Sequence, residues 1–327
     1  MFRNNKFEGT GSGPIGMLYT QKTLADTVAC TGVGLHSGAR ISMILKPAVE
    51  NSGIKFIRTD IFGKNNVIPA LYSNVADTRL STCLANEDGV GIATIEHLMA
   101  AFHATGITNV VVEVSGAELP ILDGSAAPFL FLIECAGIKE QNAPLKAIRI
   151  LKEVGVSRAA SGTHSDASAQ LSPAASGLEF DFLLDYPNDL MRNQRAVCQL
   201  DLKSFKSSIS QARTFCFLHE IEYMQKNGLA RGGSLKNAVV VDNDKVMNEE
   251  GLRYDDEFAR HKMVDAIGDL YTSGHTIIGK YSAVKAGHQM NNELLKQLFS
   301  DASNYEIVDM NEVFMGKNYR FAKVFCE

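Results

Sequence analysis

The chain has 327 residues, 45% hydrophobic and 21% charged, with a formal net charge of -5. That length accommodates two ordinary domains, and the composition fits a globular protein with its own core. The acidic balance lacks the basic footprint of a nucleic-acid binder, and the six cysteines include no Cys-x-x-Cys pair, so neither a thiolate zinc site nor a disulfide framework is suggested.

Residues 1–18 are polar and Gly-rich, with Gly9, Gly11, Gly13 and Gly16, and read as a flexible extension. They carry no apolar stretch of signal-peptide type. No apolar run anywhere approaches a membrane span. A cytoplasmic protein with reduced thiols and no stable membrane anchor is expected. Residues 19–140 mix short alternating strands with one clear helix. Thr94 is its candidate N-cap and Gly106 its stop, with Leu98, Ala101, Phe102 and Thr105 on a buried stripe. A strand over 108–114 and a helix over 126–137 follow.

A boundary near 141–144 opens a second domain over 145–318. Strand-like runs at 146–151 and 178–184 flank the Ser/Ala-rich stretch 157–177, whose lack of large apolar residues predicts a mobile insertion. Then come a helix around 220–226, a Gly232-Gly233 turn, a strand over 237–241 and a long helix over 255–272. In that helix Asp255, Asp256 and Glu257 favour the N-terminal dipole. Ala259, Met263, Ala266, Ile267 and Leu270 form one apolar face, with His261, Asp265 and Asp269 on a separate polar stripe. A strand over 277–284 precedes Gly287-His288, and residues 319–327 read as a tail.

Two segments carry chemistry. Side chains four apart share a helix face, so His261 and Asp265 can grip one ion together. Adding His97 gives two imidazoles and a carboxylate, which leaves a tetrahedral zinc one open position for water. Glu96 then stands beside the ion, available as a general base. Taken singly these signals are weak. His-x-x-x-Asp on a helix is more often a structural pair, and Glu96-His97 lacks the second histidine of a zincin. Likewise His288 reads equally as a loop residue and Thr214 as a helix cap. His103, His164, His219 and His275 sit in no comparable constellation and read as structural or solvated. His36, in a Gly-rich turn over 32–38, is intermediate.

In combination the motifs carry a resemblance. Val33-Gly-Leu-His-Ser-Gly38, Thr94-Ile-Glu-His97, Leu119-Pro-Ile-Leu-Asp-Gly-Ser-Ala-Ala-Pro-Phe129, Ala212-Arg-Thr-Phe215 and Gly233-Ser-Leu235 occur in that order. Asn248-Glu-Glu-Gly-Leu-Arg253, Phe258-Ala-Arg-His-Lys-Met-Val-Asp-Ala-Ile-Gly-Asp-Leu270 and Gly287-His-Gln-Met-Asn291 continue it. Over residues 21–318 the chain resembles the UDP-3-O-acyl-N-acetylglucosamine deacetylases, the zinc enzymes that commit Gram-negative bacteria to lipid A synthesis.

The resemblance implies an α+β fold of two similar two-layer α/β sandwich domains, with the active site in the cleft between them. It further implies zinc on His97, His261 and Asp265, with Glu96 taking the proton of the attacking water. Thr214 would share the oxyanion with zinc, and His288, kept cationic by Asp269, would help the amine leave. Lys262, with Lys285, would meet the diphosphate of an acylated UDP-amino sugar, and Asp185 and Tyr186 the uridine end. Phe215, Leu218, Ile221 and Val239 are candidates for an acyl passage, although each reads equally well as ordinary core. A monomer acting on a small-molecule substrate is expected.

The chain departs from the family at Ser81, where some members carry cysteine ahead of Thr82-Cys83. The competing readings are a zinc amidase for another N-acetyl sugar and a non-catalytic binding module on the same fold.

Overall fold

The computed structural model describes residues 19–159 and 166–313. Both termini of the sequence, and with them the expected N-terminal extension and C-terminal tail, lie outside the described residues, as does His164.

Alternation of apolar and polar side chains builds two main sheets. In the strand Arg40–Pro47, Ile41, Met43 and Leu45 turn inward and are buried while their neighbours face out, the period-two pattern of a sheet with one covered face. This strand lies in a five-stranded sheet ordered Val28–Val33, Arg40–Pro47, Val110–Val114, Ile54–Arg58 and Val67–Pro69. Val110–Val114 runs antiparallel to Arg40–Pro47 and parallel to Ile54–Arg58. The seven-stranded sheet is organised by Thr276–Val284, which pairs in parallel with Lys146–Ile150 and Leu178–Leu184 and antiparallel with Ala167–Ser172. Leu178–Leu184 buries every second residue. The mixture of sheets and helices agrees with the α+β expectation.

Five helices of two turns or more occur among the described residues: α1 Glu96–Thr105, α2 Ala127–Ala136, α3 Leu218–Lys226, α4 Glu257–Tyr271 and α5 His288–Phe299. Helix α2 packs on Val28–Val33 and on α1. Helix α4 packs on Leu178–Leu184 and Gln194–Gln199, and α5 on Val154–Arg158 and Ala167–Ser172. The most extensive helix contact joins α1 to α4. At their crossing, Gly268 lies so close to the backbone of Glu96 that a Cβ there would overlap the Glu96 carbonyl. This is how residues some 165 positions apart in sequence come to face each other. No helix among the described residues is long and apolar enough to cross a membrane.

Three local expectations change. Thr94 does not cap α1. Its backbone is left-handed at φ 60, its hydroxyl is buried without a partner, and Ile95 occupies the N-cap position. A capping side chain needs an extended backbone at its own residue. Gly106 does end the helix, at φ 73. The second change is that α1 has no single buried stripe: all ten of its residues are buried.

The segment 141–144, where the boundary is expected, lies in the strand Ile138–Pro144, which pairs with Thr20–Leu24. Lastly, much of 157–177 is not a loose insertion. Val154–Arg158 and Ala167–Ser172 form an antiparallel pair, and Ala169 and Leu171 are fully buried. Pairing is a backbone property and only alternate side chains enter the core, so a composition average over both faces missed the strand. Residues 160–165 lie outside the described residues.

Candidate active site

Helix α4 delivers three side chains to one place because the 3.6-residue period stacks positions 261, 265 and 269 on one face. All three are buried, as are Glu96 and His97 at the start of α1. His97, His261 and Asp265 form the one group of potential metal ligands found among the described residues, with ligand atoms within 4.8 Å of one another. Asp265 Oδ1 lies 3.5 Å from His97 Nε2 and 3.4 Å from His261 Nε2. Those separations match the edge of a tetrahedron with metal–ligand bonds of about 2.0–2.1 Å, which is about 3.3–3.4 Å. Nδ1–H of His261 donates to the Ala212 carbonyl at 3.0 Å, so Nε2 turns its lone pair toward the group. An outer hydrogen bond of this kind sets tautomer and aim in histidine metal sites. The residues present therefore fit a zinc ion, and Glu96 stands outside the ligand group.

The electrostatics separate the roles of the acids. Burial pushes the Glu96 carboxyl up, with the nearby His288 and His97 pulling it back. Its Oε2 accepts the Thr82 backbone N–H at 3.0 Å. Burial also works against ionising Asp265, but the interactions that oppose it, led by the Lys262 charge, outweigh it and hold that carboxyl well below its usual range. Lys262 Nζ is 3.0 Å from Asp265 Oδ2. His261 is lowered by burial to about 4, so its imidazole is neutral and able to ligate. His288 moves the other way. Burial alone would lower it, yet the Asp269 carboxylate 2.8 Å from Nδ1 raises it to about 9. A cation therefore persists at His288 at neutral pH. Its Nε2 lies 4.0 Å from Asp265 Oδ2, beside the ligand group.

Above this floor opens a cleft of about 1180 Å³ lined by Thr214, Phe215, His261, Lys262, Lys285 and His288, among others. Thr214 is fixed through its backbone: its N–H donates to the Gly124 carbonyl and its carbonyl accepts the Val239 N–H, both at 2.8 Å. Gly124 sits at φ 82, and a Cβ there would strike the Asn237 carbonyl, which explains the glycine within the 119–129 motif. Phe215 packs edge-on against Phe258 at 4.9 Å, and Lys262 Nζ lies 5.6 Å from the Phe215 ring centre. Lys285 pairs with Asp185 at 3.4 Å, and Tyr186 joins the lining.

Leu218, Ile221 and Val239 stand apart from this lining. Phe217, His219 and Glu220 reach the cleft instead, with Phe217 and His219 stacked at 5.5 Å. His103, read as structural, is buried and stacked on Tyr271 at 4.2 Å. His36 does not line the cleft, and both its ring nitrogens are buried without partners.

Thr82 and Asn291 are the site residues that sequence reasoning passed over. The Thr82 hydroxyl donates to Asp269 Oδ1 at 2.5 Å, and Asn291 Nδ2 donates to Asp269 Oδ2 at 2.8 Å. No spacing rule marks either residue, although both lie inside or beside quoted motifs.

Two imidazoles and a carboxylate gathered in one buried group, with a second carboxylate alongside, define a candidate metal centre beside the cleft. Comparison with known proteins is specific. The chain belongs to the UDP-3-O-acyl N-acetylglycosamine deacetylase family, whose model matches residues 21–300. It is 45% identical over 294 residues to the UDP-3-O-acyl-N-acetylglucosamine deacetylase of Shewanella pealeana, covering 89% of this chain and 94% of that one. The proteins of the same name from Teredinibacter turnerae and Actinobacillus pleuropneumoniae are 47% and 43% identical over the same shares. The family resemblance read from the motifs is thereby borne out, and every residue of the cleft floor lies within the matched segment.

Proposed function

We propose that this protein hydrolyses the N-acetyl group of UDP-3-O-acyl-N-acetylglucosamine, giving UDP-3-O-acyl-glucosamine and acetate, in the cytoplasmic committed step of lipid A biosynthesis. The observation that carries the reading is the convergence of Glu96, His97, His261, Asp265 and His288 in one buried cluster that meets the cleft through His261 and His288, in a chain of this family. Residues 19–140 supply the first two and residues 145–318 the others, and we read these halves as two domains with the cleft between them.

His97, His261 and Asp265 would hold zinc, which when bound supplies Lewis acidity toward the acetamide carbonyl and toward water. Glu96, raised by burial and steadied by the Thr82 N–H, takes the proton of water as its oxygen adds to the carbonyl carbon. The Thr214 hydroxyl faces the developing oxyanion. His288, cationic through Asp269, protonates the nitrogen as the carbon–nitrogen bond breaks, so a free amine leaves. Lys262 and Lys285, on the cleft wall, provide positive charge for the diphosphate, and Phe215 an apolar surface at the mouth of the acyl path.

The test compares zinc-loaded wild type with Glu96→Ala, measuring acetate release from the acylated UDP-sugar and zinc content together. A base positioned this way contributes about 10²- to 10⁴-fold, so kcat should fall by at least about 100-fold while bound zinc is unchanged. Chelation of the wild type should abolish turnover and zinc should restore it. A folded, zinc-loaded wild type that releases no acetate would overturn the reading and direct attention to other N-acetyl sugars.

A further inference from the structure

Outside the metal ligands, the cleft floor holds a second set of buried polar groups in which one residue serves two carboxylates. Thr82 is 3% exposed. Its backbone N–H donates to Glu96 Oε2 at 3.0 Å and its hydroxyl donates to Asp269 Oδ1 at 2.5 Å. The other oxygen of Asp269 accepts Asn291 Nδ2 and His288 Nδ1, each at 2.8 Å. Asn291 is held in turn by the buried Tyr281, whose hydroxyl donates to Asn291 Oδ1 at 2.6 Å. A buried carboxylate so surrounded has one rotamer, and that rotamer decides where the His288 ring points. His288 Nδ1 turns to Asp269 and lies 3.3 Å from the Thr82 hydroxyl itself, which leaves Nε2 facing the ligand group.

We propose that Thr82 is a positioning residue for both proton-transfer groups of the site: its main chain fixes the Glu96 carboxylate and its hydroxyl fixes Asp269, and through Asp269 the aim of His288. Resting as it does on the function proposed above, the inference deepens it. Thr82 lies just ahead of the strand Cys83–Ala85, outside α1 and α4, and so ties the Glu96 of one helix to the Asp269 of the other. Thr82 needs to touch no substrate atom for this.

The hydroxyl arm can be removed alone, because a side-chain change leaves the N–H that holds Glu96. In the zinc-loaded enzyme, Thr82→Val should lower kcat by about 10- to 100-fold, the range set by loss of a hydrogen bond to a charged group. KM should stay within about threefold and zinc content should be unchanged, as expected for an interaction expressed only in the transition state. Thr82→Ser restores the donor and should return kcat to within about threefold of wild type. Should Thr82→Val fail to fold, Thr82→Ala removes the same hydroxyl without adding a methyl group and is judged by the same criteria.

A valine or alanine variant with wild-type kcat, or a serine variant as slow as valine, would overturn the positioning role. So would a loss confined to KM. These outcomes are read against an active wild type, whereas an inactive wild type condemns the proposed function itself.

Discussion

Among the described residues Arg213 is the largest fully buried side chain, at 1% exposure, and it sits next to Thr214. Its Nε donates to Glu257 Oε1 at 2.9 Å, while its NH2 reaches Glu257 Oε2 at 3.1 Å and the Gly251 carbonyl at 2.7 Å. Glu257 is completely buried and opens α4, accepting also the backbone N–H groups of Arg213 and Arg253. Arg213→Met keeps most of the volume and removes the charge. It leaves an ionised carboxylate in the interior with only two backbone donors. Breaking a buried ion pair by removing one partner costs about 3–5 kcal/mol, whereas replacing both partners by apolar groups is often neutral.

Urea unfolding at pH 7 should therefore show Arg213→Met destabilised by about 3–5 kcal/mol. The double variant Arg213→Met, Glu257→Met should recover at least half of that loss, in spite of the two backbone donors it leaves unpaired. Arg213→Lys should rescue little, since a point charge cannot make the forked pair. A single methionine variant within about 1 kcal/mol of wild type, or a double variant less stable than the single, would refute the account of Arg213 as the ion-paired anchor of the segment carrying Thr214.

Two further outcomes follow from the helix crossing and from a buried histidine. Gly268→Ala should destabilise by about 1–3 kcal/mol as an overpacked contact, and should slow turnover too, because the clashing atom is the Glu96 carbonyl; thermal unfolding and a kcat measurement check both, and an unperturbed variant refutes the close approach. Burial lowers the His103 pKa from 6.5 to about 4. The fold thus keeps His103 neutral while the unfolded chain takes up a proton, so its stabilising share is complete above about pH 6.5 and is lost as pH falls toward 4, roughly 3 kcal/mol in all. Unfolding free energies of wild type and His103→Phe across pH 7 to 4 should diverge in slope by about that amount, and parallel curves would count against the assignment.

Local rules made a good part of the site legible. The helix bearing His261, Asp265 and Asp269 could be read from its acidic start and separate apolar and polar faces, because side-chain direction in a helix repeats with the backbone period. The stop of α1 at Gly106 was equally local, since only a left-handed residue ends a helix that way. Where context overrides propensity, the sequence misled. Thr94 looked like a cap, yet it stands at φ 60 just ahead of the fully buried α1. The strand Ala167–Ser172 looked like an unstructured insertion because its composition is small and polar, although its neighbours in the sheet supply the pairing.

Chain order by itself determined the ligand types, their spacing along α4 and, through motif order, the family. Only the tertiary structure decided that His97 meets His261 and Asp265, that Phe217 and His219 line the cleft, and that Thr82 reaches across 187 positions to Asp269. The physical reason is that periodicity fixes which side chains share one element's face, whereas a contact between elements depends on how closely two backbones can approach, which here a single glycine at the α1–α4 crossing permits.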